Sequence, residues 1–195
     1  LIIAHRGASE TAPENTVAAA VLAFEMEADG TEADVYLTKD NRVMVLHDKT
    51  TKRTTGIDID ITKSHSYKLK KLDAGKFKSP DYAGQRIPFI EEIIEILPAG
   101  KKLFIEIKCG HKILPYLKNI IEDSSKSHQI VIISFNEEVL AEAKRLMPQI
   151  DMYWLNKSDK NKQTGEYLPY NKSIIKYAVY KGFDGVSLHY AGLTQ

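Results

Sequence analysis

The sequence predicts an α/β fold of the β/α-barrel type, and two observations carry this prediction. Apolar segments of strand length alternate along the chain with segments of helical periodicity, which is typical of a parallel sheet covered by helices. Polar side chains also stand at the ends of several strands, and a barrel gathers its strand ends into one ring, whereas an open sheet spreads them along an edge. These side chains are His5, Glu32, Asp34, His47 and Glu106.

The composition is that of one globular domain, residues 1–195, and it excludes several classes of protein. The 195 residues are 43% hydrophobic, with 27 Lys and Arg against 26 Asp and Glu. A chain of this length can bury a sizeable core, and its balanced charge gives no reason to expect nucleic acid as a partner. The single cysteine, Cys109, excludes an intrachain disulfide and a cysteine-based zinc site.

The apolar segments are too short for a membrane span. The chain begins without Met, directly inside a predicted strand, so we expect the natural N-terminus to lie outside it. A removed signal peptide therefore stays an open alternative. Whether the protein is cytoplasmic, periplasmic or secreted, and its oligomeric state, are also left open by the sequence.

Four regular elements are predicted before residue 49. The P-E-N-T sequence at 13–16 indicates a helix start with an acid in the first turn. Two short strands separated by four polar residues predict a hairpin. The predicted ranges are a strand at 1–5, a helix at 17–28, and hairpin strands at 31–38 and 43–48.

Residues 49–86 are predicted to form an insertion. They are rich in Lys, Thr, Ser, Asp and Gly, and their only helical pattern lies near S-Y-K-L-K-K-L-D-A-G. A loop of this length is usually functional or mobile. Because it follows His47 directly, we expect it to lie over the carboxyl ends of the strands and to shape the mouth of a site.

After residue 86 helical and strand patterns alternate regularly. Pro115 is expected near the start of one helix, and Asn136 is the predicted N-cap of another. We count about seven strands in all, whereas a closed barrel has eight, so C-terminal strands are expected to be missing from this chain. Predicted helices cover 88–100, 111–124, 136–148 and 171–183, and predicted strands cover 102–108, 129–135, 149–156 and 184–190.

Two predicted strands carry polar residues at i and i+2, which point to the same face. Glu32 and Asp34 lie in T-E-A-D-V, and Glu106 and Lys108 lie in I-E-I-K. Either pattern alone more often belongs to the solvent-facing edge of a sheet. Carboxylates gathered on one face repel each other unless a cation lies between them, and oxygen ligands favour Mg²⁺ or Ca²⁺. Their joint occurrence at strand ends predicts a site for one divalent cation, held by Glu32, Asp34 and Glu106.

The order and spacing of these motifs resemble the glycerophosphodiester phosphodiesterase family. The matching stretches are H-R-G (5–7), P-E-N-T (13–16), G-T-E-A-D-V-Y-L-T-K-D (30–40), V-M-V-L-H-D (43–48), R-I-P-F-I-E-E (86–92), L-F-I-E-I-K (103–108) and G-F-D-G-V-S-L-H-Y-A-G-L-T (182–194). The resemblance implies a barrel of the phosphatidylinositol-phospholipase-C-like type with a small insertion after the second repeat. It also implies a small-molecule substrate, because members of this family carry out metal-dependent hydrolysis of glycerophosphodiesters to glycerol 3-phosphate and an alcohol.

The resemblance also implies roles for individual residues. It implies that His5 and His47 transfer protons and that Glu32, Asp34 and Glu106 bind the metal. It further implies that Arg6 and Lys108 contact the phosphate and that Asn15 supports the site. Three alternatives on the same scaffold stay open: a lysophospholipase D, a sphingomyelinase-D-like phosphodiesterase and a catalytically silent barrel. The sequence does not choose between Mg²⁺ and Ca²⁺, nor does it fix which histidine is the acid.

Overall fold

The computed structural model describes residues 1–193, and the chain divides into two units between Ile130 and Val131. In the first unit, β2 (Gly30–Leu37) pairs in parallel with β1 (Ile3–Ala4) and β4 (Lys102–Ile107). The carboxyl-terminal half of β2 pairs antiparallel with β3 (Val43–Val45), which confirms the predicted hairpin. These parallel pairs, separated by helices, confirm the α/β class.

The helices of the first unit are α1 (Val17–Glu25), α2 (Lys52–Thr55), α3 (Ser66–Leu69), α4 (Ile90–Glu95) and α5 (Leu114–Asp123). Pro115 lies in the first turn of α5, as predicted. Thr16 is the N-cap of α1 and accepts a hydrogen bond from the Ala19 amide. The expectation of an acid in the first turn of α1 is wrong, because Asn15 takes a left-handed backbone conformation and leaves Glu14 ahead of the helix.

The second unit begins at Val131 and repeats the same pattern. Its strands are β5 (Ile130–Ser134), all but the first residue of which lies in this unit, β6 (Asp151–Asn156) and β7 (Gly185–Leu188), paired in parallel. The intervening helices are α6 (Glu137–Leu146) and α7 (Ser173–Tyr180). The Asn136 side chain accepts hydrogen bonds from the Glu138 and Val139 amides, which confirms it as the N-cap of α6.

The insertion packs against the hairpin of the first unit. Its helix α3 falls where the sequence predicted one, and Ile61 and Leu69 are fully buried. They belong to a cluster with Tyr36 of β2 and Met44 of β3. The insertion therefore has an apolar core shared with the strands that precede it, although its bounds, like the single-domain prediction, stay predictions.

Across residues 1–193 the structure contains no helix of sufficient length and apolar character to cross a bilayer.

Candidate active site

Three carboxylates converge on one face of the first unit's sheet. Glu32 and Asp34 alternate along β2, and Glu106 of β4 is the register partner of Asp34. Each contributes an oxygen that lies within 4.8 Å of the oxygens of the other two. All three side chains are buried, and Asp34 has no solvent-exposed surface. The structure thus brings together the three residues that the sequence grouped as metal ligands.

The electrostatics of this carboxylate cluster favour a bound cation. Burial raises the pKa of Glu32 well above its usual range, and the adjacent Asp34 raises it further. Burial also raises the pKa of Glu106, although the Lys108 ammonium works against it. Within residues 1–193, Glu32 Oε1 is buried and accepts no hydrogen bond. A buried carboxylate oxygen without a partner is costly, so this all-oxygen donor set fits a hard divalent cation.

Two cationic side chains border the cluster. Lys108 Nζ donates to Glu106 Oε1 at 2.9 Å and lies 3.4 Å from Asp34 Oδ1. Burial alone would lower the pKa of Lys108, but the Glu106 hydrogen bond and Asp34 raise it. Arg6 Nη1 donates to Glu14 Oε1 at 3.1 Å, and Arg6 Nε lies 3.4 Å from Asp34 Oδ2. Both cations keep some exposed surface, so an anionic ligand at the cluster can reach them.

Arg6 and Asn15 take left-handed backbone conformations beside the carboxylates. Their φ values are 59° and 56°, a region that is uncommon for residues other than glycine and asparagine. The Arg6 amide donates to Glu32 Oε2 at 3.0 Å. Asn15 Nδ2 donates to Asp34 Oδ2 at 2.8 Å, and its Oδ1 accepts from the Asp34 amide at 3.2 Å. Asn15 therefore fixes the orientation of Asp34.

The two histidines have different surroundings. His5 Nε2 lies 3.8 Å from Glu32 Oε2, and its side chain is 68% exposed. Partial loss of hydration lowers the pKa of His5, and the positive charge of Arg6 lowers it further. His47 is half-buried, and its Nδ1 lies 2.7 Å from Asp48 Oδ1. His5 is thus next to the carboxylates, whereas His47 is held by its chain neighbour.

Sequence reasoning missed three charged residues at this site: Glu14, Asp48 and Arg53. Glu14 was expected in a helix, and the H-D pair at 47–48 is by itself most often a structural turn. Arg53 is one of many basic residues in the insertion, so composition does not distinguish it. Arg53 donates to Asp48 and to Glu14, and Glu14 is 39 residues away in sequence, so only the fold reveals that contact.

The sequence pattern of the "Glycerophosphoryl diester phosphodiesterase family" matches residues 5–192. A relative from Caldanaerobacter subterraneus subsp. tengcongensis, named "Glycerophosphodiester phosphodiesterase", is 40% identical over 157 residues, which cover 77% of this chain and 64% of the relative. The human protein named "Lysophospholipase D GDPD1" is 30% identical over 145 residues, covering 71% of this chain and 46% of its own length. The chain therefore spans about half to two thirds of these curated relatives.

A solved structure of an Oleispira antarctica phosphodiesterase, described as in complex with the product sn-glycerol-3-phosphate, superposes with a TM-score of 0.85. It is 28% identical, and the match covers 96% of this chain and 74% of that one. Together with the family match, this likeness confirms the β/α-barrel fold class that the sequence predicts.

Proposed function

The chain belongs to the glycerophosphoryl diester phosphodiesterase family, and on that premise we propose that the protein hydrolyses glycerophosphodiesters to glycerol 3-phosphate and an alcohol. The observation that carries the proposal is the cluster of Glu32, Asp34 and Glu106 bordered by Arg6 and Lys108. A buried anionic cluster beside two cations is a suitable arrangement for a metal and a phosphate group together.

Glu32, Asp34 and Glu106 would hold one Mg²⁺ or Ca²⁺. When bound, the ion supplies positive charge that stabilises the negative charge developing on the phosphate oxygens. Arg6 and Lys108 bind those oxygens directly, with Arg6 offering the planar donor pair that suits phosphate. The paired state seen here, with Glu14 and Glu106 as partners, keeps both cations oriented before substrate arrives.

The histidines transfer the two protons that hydrolysis requires. His5 removes a proton from the attacking oxygen, either of water or of a substrate hydroxyl, and the partial burial that lowers its pKa favours the neutral ring that a base requires. His47 donates a proton to the oxygen of the leaving alcohol. Because displacement at phosphorus is roughly in line, the two rings act from opposite sides of the phosphate.

The insertion shapes the entrance to this site. Lys78 Nζ donates to the Ser9 carbonyl at 2.9 Å, and Arg53 reaches Glu14, so the insertion contacts the loop that follows β1 at two points. These contacts beside the loop that carries Arg6 support a role for the insertion in selecting among alcohol groups of the substrate.

Histidine variants test the proposed division of roles. We expect His5→Ala and His47→Ala each to lower turnover of a glycerophosphodiester about 10²- to 10⁴-fold, the usual contribution of general acid–base catalysis. A nitrophenyl phosphodiester, whose leaving group needs no proton, should restore turnover to His47→Ala and not to His5→Ala. The exposed His128 supplies a control, and His128→Ala should behave as wild type.

Equal rescue of both variants by the nitrophenyl substrate would show that the proposed roles are wrong. Near-wild-type turnover by either variant on a glycerophosphodiester would make that histidine structural.

A lysophospholipase D is the second candidate, favoured by the similarity to the human protein of that name. It requires the same charged residues with an entrance that admits an acyl chain. Comparing hydrolysis of glycerophosphocholine with that of lysophosphatidylcholine separates the two: the first proposal predicts the higher kcat/KM on the water-soluble diester, and the reverse order would establish the second.

A further inference from the structure

A continuous series of ion pairs connects His47 to Arg6 by way of Arg53. His47 Nδ1 lies 2.7 Å from Asp48 Oδ1, and Asp48 Oδ2 accepts from Arg53 Nε at 2.6 Å. Arg53 Nη1 and Nη2 donate to the two carboxylate oxygens of Glu14 at 2.6 and 2.8 Å. Glu14 Oε1 in turn accepts from Arg6 Nη1 at 3.1 Å.

Arg53 is the central member of this network because it joins three separate segments of chain. It belongs to the short helix α2 in the insertion, Asp48 follows β3, and Glu14 precedes α1. One guanidinium uses all three of its nitrogens, with a two-point contact to Glu14 and a single contact to Asp48. A lysine, with a single point charge, cannot reproduce this geometry.

The main effect of this network is on side-chain orientation and not on stability. The Arg53 side chain is 44% exposed, and exposed ion pairs contribute little to the free energy of unfolding. The network fixes the orientation of the Asp48 and Glu14 carboxylates. Although burial works in the opposite direction, the hydrogen bonds from Arg53 and His47 lower the pKa of Asp48, which favours the carboxylate that accepts a hydrogen bond from His47 Nδ1.

We propose that Arg53 is a positioning residue for both ends of the active site. By orienting Asp48 it keeps the proton of neutral His47 on Nδ1, so that when the ring takes up a second proton on Nε2, that proton is the one donated to the leaving alcohol. By orienting Glu14 it holds Arg6 beside the carboxylate cluster. Its effect on rate rests on the proposed phosphodiesterase function, whereas its effect on the His47 ring does not.

The kinetic test compares Arg53→Ala with Lys52→Ala, which removes the neighbouring, exposed positive charge of the same helix. We expect Arg53→Ala to lower kcat on a glycerophosphodiester about ten- to a hundredfold, as removal of an orienting partner typically does, with a smaller change in KM. Arg53→Lys should recover less than half of the lost rate, and Lys52→Ala should match wild type. A rise in KM alone, or full recovery by Arg53→Lys, would overturn the proposal.

A spectroscopic test needs no substrate. Long-range ¹H–¹⁵N spectra of histidine-labelled protein, with His47 assigned from the His47→Gln spectrum, report which ring nitrogen carries the proton. At a pH where imidazole is neutral, wild type and Lys52→Ala should show the proton on Nδ1 of His47, and Arg53→Ala should show a mixture of both tautomers. An unchanged His47 spectrum in Arg53→Ala would refute the positioning role.

The two tests distinguish the two proposals. If wild type turned over no phosphodiester, the proposed function would fail while the spectra would still decide the role of Arg53. Arg53→Gln, which keeps the aliphatic stem, serves as a second variant, and thermal unfolding shows that each variant is folded before its spectrum is compared.

Discussion

At the scale of single residues, Gly7 occupies a position where a side chain has no room. Its φ is +80°, and a Cβ placed on it would lie 2.5 Å from the carbonyl carbon of Ala19 in α1. The Ala8 amide donates to the Ala19 carbonyl at 2.9 Å, so helix and loop are in direct backbone contact. This contact holds the loop that carries His5 and Arg6.

We therefore predict that Gly7→Ala lowers the free energy of unfolding by about 2–4 kcal/mol, the sum of a left-handed alanine and a clash in a packed region. Gly100→Ala is a matched control, because Gly100 has a similar φ of +78° with nothing described within 4 Å of its Cβ position. It should show only the smaller backbone cost. Urea unfolding measures both, and equal losses for the two variants would show that the close approach to α1 contributes nothing.

At the scale of elements, the β2–β3 hairpin is joined to the insertion by Asp40. Its carboxylate accepts from Thr38 Oγ1 at 2.7 Å, from the Ser66 amide at 2.8 Å and from Ser66 Oγ at 2.7 Å. Burial works in the opposite direction, but these hydrogen bonds lower the pKa of Asp40 to about 2. The turn is thereby tied to the first residue of α3.

This lowered pKa predicts a pH-dependent contribution to stability. The ionised form is favoured in the folded state, so the contribution is fully present above the unfolded pKa of 3.8 and is lost as the pH falls through about 2. We expect Asp40→Ala to lower the free energy of unfolding at pH 7 by about 1 kcal/mol, after allowance for solvent screening. Urea unfolding should show this difference shrinking below about pH 4.

The exposed Asp58, also in the insertion, provides the comparison. Asp58→Ala should leave stability near that of wild type at both pH values. A loss from Asp40→Ala that is the same at pH 3 and pH 7 would indicate lost packing rather than the lost carboxylate.

At the scale of the whole molecule, local patterns predicted the elements better than they predicted the contacts between distant segments. The E-x-D and E-x-K spacings placed Glu32, Asp34 and Glu106 on common faces, and the pairing of β2 with β4 then brought them together. The first strand was overestimated at 1–5, because only Ile3 and Ala4 pair with β2, and Leu1 and Ile2 stay 91% and 73% exposed.

The sequence did not predict the Arg53 network, and the reason is a different one. Arg53 and Glu14 are 39 residues apart in sequence. An amphipathic pattern indicates which side chains are buried, but it does not indicate which partner a charged side chain contacts. The insertion shows the same limit: its weak periodicity gave one helix correctly and gave no sign that Ile61 and Leu69 complete an apolar cluster with the hairpin.

The central claim is that Glu32, Asp34 and Glu106 hold a divalent cation that hydrolysis requires. The most direct test measures glycerophosphodiester hydrolysis by chelator-stripped protein while Mg²⁺ or Ca²⁺ is added back, for wild type, Glu106→Gln and the exposed control Glu25→Gln. We predict that stripped wild type and Glu25→Gln are inactive and regain turnover with one of the two ions, whereas folded Glu106→Gln does not regain it at the same concentration. Full turnover by exhaustively stripped wild type, or normal recovery by Glu106→Gln, would contradict the claim.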